Sequence, residues 1–219
     1  IVDGSTQIAI NDSWIESSSN WGDGSYSSTA IAVSDLNNNG TSGDTSDDYY
    51  QVAVKNSNTW TDWQTGQKTT SDDWQVYAIY ASGSNQGNNN WDKTVWTQSI
   101  QSYETTFQQD LDGDGVTGLN LSNLKTASGD TSGWLLKKDT KNSLYISDSN
   151  GENIKAVKDD YGGTPNFDYS SNWGSGSSSS EAIAAEINAD NTFSIAIKHT
   201  HTFGSETNTD WEILTVSNS

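Results

Sequence analysis

Two stretches, Tyr50-Gln51-Val52-Ala53-Val54-Lys55 and Trp74-Gln75-Val76-Tyr77-Ala78-Ile79-Tyr80, decide the fold class. Both are rich in β-branched and aromatic residues, alternate apolar with polar or small side chains, and are bounded by Asn, Asp, Ser and Gly clusters. That is the pattern of half-buried antiparallel strands. Working outward, the same pattern marks strands at residues 6–10, 30–33, 134–136, 144–146, 154–157, 193–197 and 211–216. Only Ile100, Tyr103, Phe107 and Leu111 recur at helical spacing, which predicts one short helix that ends at an Asp/Gly-rich loop. The expected fold is mainly β: an antiparallel β-sandwich built from an internal repeat, with one short helix preceding the loop.

The repeat is read from paired segments. Ser19-Asn20-Trp21-Gly22-Asp23-Gly24-Ser25 recurs as Ser171-Asn172-Trp173-Gly174-Ser175-Gly176-Ser177, and Ala30-Ile31-Ala32 as Ala182-Ile183-Ala184. Ala53-Val54-Lys55 matches Ala196-Ile197-Lys198, and Asp73-Trp74 matches Asp210-Trp211. The expected organisation is a partial first repeat over 1–118, a junction over 119–132 and a partial second repeat over 133–219. The copies are incomplete in complementary ways, the second stopping before any counterpart of Trp91 to Gly118. A missing strand leaves an unpaired sheet edge, which subunits of a polymer would fill for one another. An arbitrary cut from a tandem array is the alternative, and a first residue of Ile1 points to a processed or excised segment.

Composition excludes several functions. The 219 residues hold 29 acidic side chains against 10 lysines, a net charge of −19, and no arginine or cysteine. Such a chain has no means of gripping a phosphate backbone, so nucleic acid is not an expected partner. No apolar run approaches membrane-spanning length, and without a thiol there is no disulfide, Cys-based zinc site or Cys nucleophile. Low hydrophobicity with high charge resembles a disordered chain. The 10 Trp, 9 Tyr and 4 Phe argue instead for a folded one. The acidic, cysteine-free, Asp/Asn/Gly/Ser-rich composition suits the exterior of a bacterium, giving an expected extracellular or cell-surface location.

Asp110-Leu111-Asp112-Gly113-Asp114-Gly115 carries the strongest chemistry. Carboxylates at positions 1, 3 and 5 before a turn-forming Gly match the first half of a calcium loop. Asp110, Asp112, Asp114 and the Val116 carbonyl are therefore expected Ca²⁺ ligands. Position 12 is Leu121, so the set closes elsewhere. Asp35-Leu36-Asn37-Asn38-Asn39-Gly40 is a weaker version, with Asp35, Asn37, Asn39 and Thr41 as candidate ligands. Ser-Gly-Asp-Thr-Ser follows both loops, which makes Asp44 and Asp130 candidate closing ligands. A solvated acidic turn and a hairpin loop are the respective alternatives.

Other chemistry is weakly marked. His199 and His201 share a strand face, and with Glu206 they offer a thin Zn or Cu site. Exposed strand residues is the plainer interpretation. There is no Gly-x-Ser-x-Gly, His-Glu-x-x-His or phosphate-loop motif, and no enzyme activity is expected. Trp60, Trp63, Trp91 and Trp96 lie in polar text without counterparts between the copies, which makes them candidates for stacking on sugar rings. The recurring Trp21/Trp173 and Trp74/Trp211 fit a scaffold role.

Tyr103-Glu104-Thr105-Thr106-Phe107-Gln108-Gln109-Asp110-Leu111-Asp112-Gly113-Asp114-Gly115-Val116-Thr117-Gly118 resembles the repeat junction of a tryptophan-rich family. This is the C-terminal repeat domain of large cyanobacterial secreted and surface proteins. The resemblance implies export by a type I route, surface display, tandem units and support for Asp110, Asp112 and Asp114 as calcium ligands; it implies no catalytic residues. The expected function is a calcium-stabilised extracellular structural or adhesive module that assembles with copies of itself or adjacent repeats into a filament or surface layer by strand exchange. A carbohydrate-binding module, with glycans as partners, is the alternative.

Overall fold

The alternating runs fold as strands, and so does the Ser/Asn/Trp-rich text between them. The computed structural model describes residues 1–219 except 4–5, 38–47, 64, 128–129, 131–132, 160–162, 164 and 218–219. The chain divides into two units, Ile1–Leu119 and Asn120–Ser219.

In the first unit β1 (Val2–Asp3) and β2 (Thr6–Gln7) form a small ribbon. β3 (Ser17–Trp21), β4 (Gly24–Val33), β5 (Tyr49–Thr61), β6 (Lys68–Tyr80) and β7 (Val95–Thr97) form one antiparallel sheet in chain order, and α1 (Gln101–Phe107) follows. Alternation along β5 and β6 sends Val52, Val54, Tyr77 and Ile79 to one face, where Ile1, Ile10 and Ile15 pack on them. It sends Ala53, Trp74 and Val76 to the other, where Ile100, Tyr103, Phe107 and Leu111 pack. This unit is thus a single sheet covered by a helix on one side and by irregular chain on the other. The strand expected at 6–10 is shorter: Ile8 still exchanges backbone hydrogen bonds with Ile1, and Ala9 and Ile10 leave the ribbon.

The second unit is the sandwich. β8 (Lys125–Thr126), β9 (Leu135–Lys138), β10 (Leu144–Ser147) and β11 (Lys155–Ala156) form one sheet in the order β11-β10-β9-β8. β12 (Tyr169–Trp173), β13 (Gly176–Ile187), β14 (Phe193–Phe203) and β15 (Glu206–Val216) form the other in chain order. Leu136, Leu144 and Ile146 of the first meet Ala182, Phe193, Ile195 and Ile197 of the second in a buried core. Lys125–Thr126, inside the expected junction, is an edge strand of this unit.

Sheets β3–β6 and β12–β15 agree position by position. Trp21 pairs with Gly24 and Trp173 with Gly176 across two-residue turns. The first central residues, Gly22 and Gly174, have φ of 35° and 40°, a backbone region that glycine enters freely. Each sheet then breaks register once, between Ala30 and Ala32 and between Ala182 and Ala184. A bulge strands one amide. The skipped residues are Ile31 and Ile183, and beside each a carboxylate from just before the edge strand accepts an amide: Ala30 N–H donates to Glu16 Oε1 at 2.8 Å and Ala182 N–H to Asp168 Oδ1 at 3.0 Å. Two residues earlier, the hydroxyls of Ser28 and Ser180 donate to the carbonyls of Ile15 and Phe167.

Asp168 does more than Glu16. Its carboxylate also receives the Lys138 ammonium at 2.8 and 2.6 Å, in a pair with only 11 % and 19 % side-chain exposure. Asp168→Ala is expected to destabilise the fold by about 2–4 kcal/mol, since it strands a bulge amide and a half-desolvated cation together. Glu16→Ala, at an exposed bond, will have a clearly smaller effect. Urea denaturation of the two variants measures the difference.

Candidate metal centre

The site is built on the short helix. Ile100, Tyr103 and Phe107 place their side chains on the sheet, and Gln101 and Glu104, three residues apart, share a face turned to the following loop. The helix stops where Gln108 takes a left-handed conformation, φ 54°, and donates its amide to the Glu104 carbonyl. The chain then reverses as Asp110–Gly118.

Glu104 clasps this loop at both ends. Its side chain is fully buried, at 0 % exposure. Oε1 accepts the amides of Leu111 at 2.7 Å and Asp112 at 3.1 Å, and Oε2 accepts that of Gly118 at 2.8 Å. Burial pushes its carboxyl above the ordinary glutamate range; the three amides pull it back, and the nearby Asp112 charge pushes it up again. The aspartates organise the loop interior. Asp110 accepts the amides of Gly113 and Gly115 at 2.8 and 2.9 Å, Asp112 that of Asp114 at 3.0 Å, and Asp114 that of Val116 at 2.9 Å. Gln101 Nε2 bridges Asp112 Oδ2 and Asp114 Oδ2 at 2.9 and 3.1 Å.

One oxygen each from Glu104, Asp110 and Asp112 lies within 4.8 Å of the others, and this is the one such group among the described residues. Three carboxylates this close repel unless protons or a cation offset them. A carboxylate oxygen has two lone pairs, so those that accept a single amide keep one free. An all-oxygen set without sulfur or imidazole suits a hard cation. Of the expected ligands, Asp110 and Asp112 join this group; Asp114 is tied to it through Gln101. Val116 is located by its amide, which faces Asp114. Glu104 is the member that the sequence reading missed. Its signal was an acid set within the apolar stripe of a helix, between Ile100 and Phe107.

The other candidates fall elsewhere. Asp130 serves as a structural anchor of the second unit: it is buried, and its Oδ2 accepts the amides of Leu136 at 2.6 Å and Ala185 at 3.1 Å. Asp35 receives a long bond from Gln108 Nε2 at 3.4 Å. Asn37 bridges to Tyr49 and donates to its hydroxyl at 3.1 Å. Asn39, Thr41 and Asp44 lie outside the described residues. His199 and His201 sit on β14 and meet Glu212 at 3.2 Å and Asp210 at 3.8 Å; Glu206 pairs instead with Phe203 at the hairpin end.

Trp60, Trp63, Trp91 and Trp96 are exposed, Trp63 at 86 %. Trp60 and Trp96 do not converge. Trp60 lies opposite Thr69 and Trp96 opposite Gln75, six residues along β6 and so roughly 20 Å apart. Trp91 is braced edge-on by Tyr77 at 6.3 Å. Recurrence between the copies did not predict burial: Trp21 and Trp173 are half exposed, and Trp74 is 5 % exposed against 58 % for Trp211. Trp74 is covered by α1 and β7, and nothing among the described residues covers Trp211 in that way. No family model, curated protein or solved structure matches the chain.

Glu104→Ala is expected to lose about 3 kcal/mol, because one buried and two half-buried amides lose their acceptor at roughly 1–3 kcal/mol each. Asp130→Ala will lose about 2–4 kcal/mol for two amides but leave cation binding intact. Urea denaturation combined with calorimetric calcium titration separates the two roles.

Proposed function

We propose that this chain is a calcium-stabilised structural or adhesive module of an extracellular surface, which assembles with copies of itself or with adjacent units of the same kind. The observation that carries this reading is the meeting of Glu104, Asp110 and Asp112 at the end of α1. Calcium would be held by these three carboxylates, with Asp114 and the Val116 carbonyl as neighbouring oxygens. It takes six to eight oxygens in adaptable geometry, which a glycine-rich loop provides more readily than the strict octahedron of magnesium. The ion supplies charge neutralisation and loop rigidity, and this chain's residues do the rest: Glu104 closes the loop, Gln101 aligns two aspartates, and α1 carries the order into the sheet.

The charge of −19 supports the same reading. It keeps separate molecules apart until a cation binds. The resemblance of Tyr103 to Gly118 to the junction of a tryptophan-rich secreted repeat family points to surface display. The long edge strand β15, eleven residues over Glu206–Val216, supports assembly through a sheet edge.

Thermal melting and light scattering in about 5–10 mM calcium, against excess chelator, test the proposal. At a hundredfold excess over its Kd calcium stabilises by about 2.7 kcal/mol, a rise of several degrees in Tm. Asp112→Asn and Asp110→Asn should abolish the rise. An identical melt with and without chelator would overturn the calcium reading.

A second reading, carbohydrate binding, draws on Trp91, a residue 62 % exposed whose ring is held edge-on by Tyr77. It predicts a glycan-dependent change in Trp fluorescence in a monomer, lost in Trp91→Ala. A silent glycan screen would remove it.

A further inference from the structure

The two corresponding sheets differ in what lies on their fourth strand. In the first unit Trp74 and Val76 of β6, with Ala53 of β5 and Ala32 of β4, form an outer-face patch. β7 pairs with its edge through Trp74↔Thr97, Gln75↔Trp96 and Val76↔Val95, and Ile100, Tyr103, Phe107 and Leu111 pack on its face. In the second unit Trp211 and Ile213 of β15, Ala196 of β14 and Ala184 of β13 occupy the same register positions. Trp74 lies opposite Lys55 and Trp211 opposite Lys198; Val76 lies opposite Ala53 and Ile213 opposite Ala196; Ala32 and Ala184 follow the bulge. This second patch is bare. Trp211 is 58 % and Ile213 63 % exposed, and β15 is an edge strand among the described residues. The opposite face of β15 is satisfied, since Leu214 and Val216 pack into the sandwich core.

We propose that β15 and its outer face are a docking site for a strand followed by an amphipathic helix of the Val95–Leu111 pattern. The first unit is the template for the occupant. A strand with valine, a bulky residue and threonine extends the sheet beside Ile213, Glu212 and Trp211, and a helix with apolar side chains at the spacing of Ile100, Tyr103 and Phe107 seals the patch. Backbone bonds along the edge give affinity, and the Trp211–Ile213 surface sets the register. A second identical copy is a poor occupant. Among the described residues each chain has one such strand–helix segment, already bound to its own β6, against two surfaces that take it. An exchange between identical copies would uncover one patch to fill another. This inference rests on the part of the assembly reading that joins adjacent units of the same kind, and names the edge, the register and the complement that such joining uses.

The test is hydrogen exchange of the full chain with a synthetic peptide of residues 95–111 added in trans, in calcium and in chelator. The expected result is saturable 1:1 binding that protects residues 206–216 while protection of β6 stays unchanged. Ile213→Asp, which sets a charge on an exposed position and leaves the core alone, should weaken binding at least about tenfold. A peptide with aspartate at the positions of Ile100 and Phe107 should not bind. Absence of protection in β15, or binding indifferent to Ile213→Asp, overturns the proposal. So does concentration-dependent protection of β15 without peptide, which would identify a second copy as the occupant. Peptide docking that persists in chelator, beside a calcium-indifferent melt, would remove the calcium reading and leave the docking site standing.

Discussion

A carboxylate with no exposure to water stands at the pivot of the first unit. α1 is seven residues long, too short to be stable alone, and exists because one of its faces is packed on the sheet. Glu104 on its other buried face binds the amides at both ends of the acidic loop, so helix, loop and sheet face order together. The arrangement carries an inherent conflict. Desolvation and the neighbouring Asp112 both oppose the charged form of the acid that holds the loop shut. A cation resolves that conflict without removing an acceptor from the amides, whereas a proton on Glu104 does remove acceptor capacity.

The acidic composition has a structural use beyond net charge. Chains rich in turns leave many amides without ladder partners, and aspartate is short enough to reach back and accept them. Asp139 takes the amides of Lys141 and Ser143, Asp148 those of Asn150 and Glu152, and Asp190 that of Thr192. At Asp148 and Asp190 these bonds favour the ionised form. The backbone amide of Glu152 leads in holding the Asp148 carboxyl below the ordinary range, and the Thr192 hydroxyl does so for Asp190. Asp130, Asp168 and Glu16 likewise accept strand and bulge amides. Clustered acids in this sequence are therefore mostly backbone acceptors, and the loop after α1 differs in bringing three together.

The two related sheets show how context decides the fate of the same residue. Trp74 and Trp211 share register and a cross-strand lysine, yet one is core and the other is surface. What differs is whether another element covers the face. The same bare surface is a liability in isolation and a recognition surface in an assembly.

The amino-acid sequence by itself determined the β class, the single helix and the acidic loop. These follow from local rules: alternation with period two, glycine where φ turns positive, an apolar stripe at helical spacing. It left β3 and β12 hidden, because Ser and Asn carry no strand signal and are held there by pairing to β4 and β13. Only the tertiary structure decided which carboxylates meet. Spacing put Asp110, Asp112 and Asp114 in line, but Glu104 joined them through the reversal of the chain at Gln108. Asp130 was drawn off by amides at Leu136 and Ala185, the latter 55 residues away. Burial and ligand geometry depend on contacts distant in sequence, and local pattern cannot encode which of many similar acids those contacts will select.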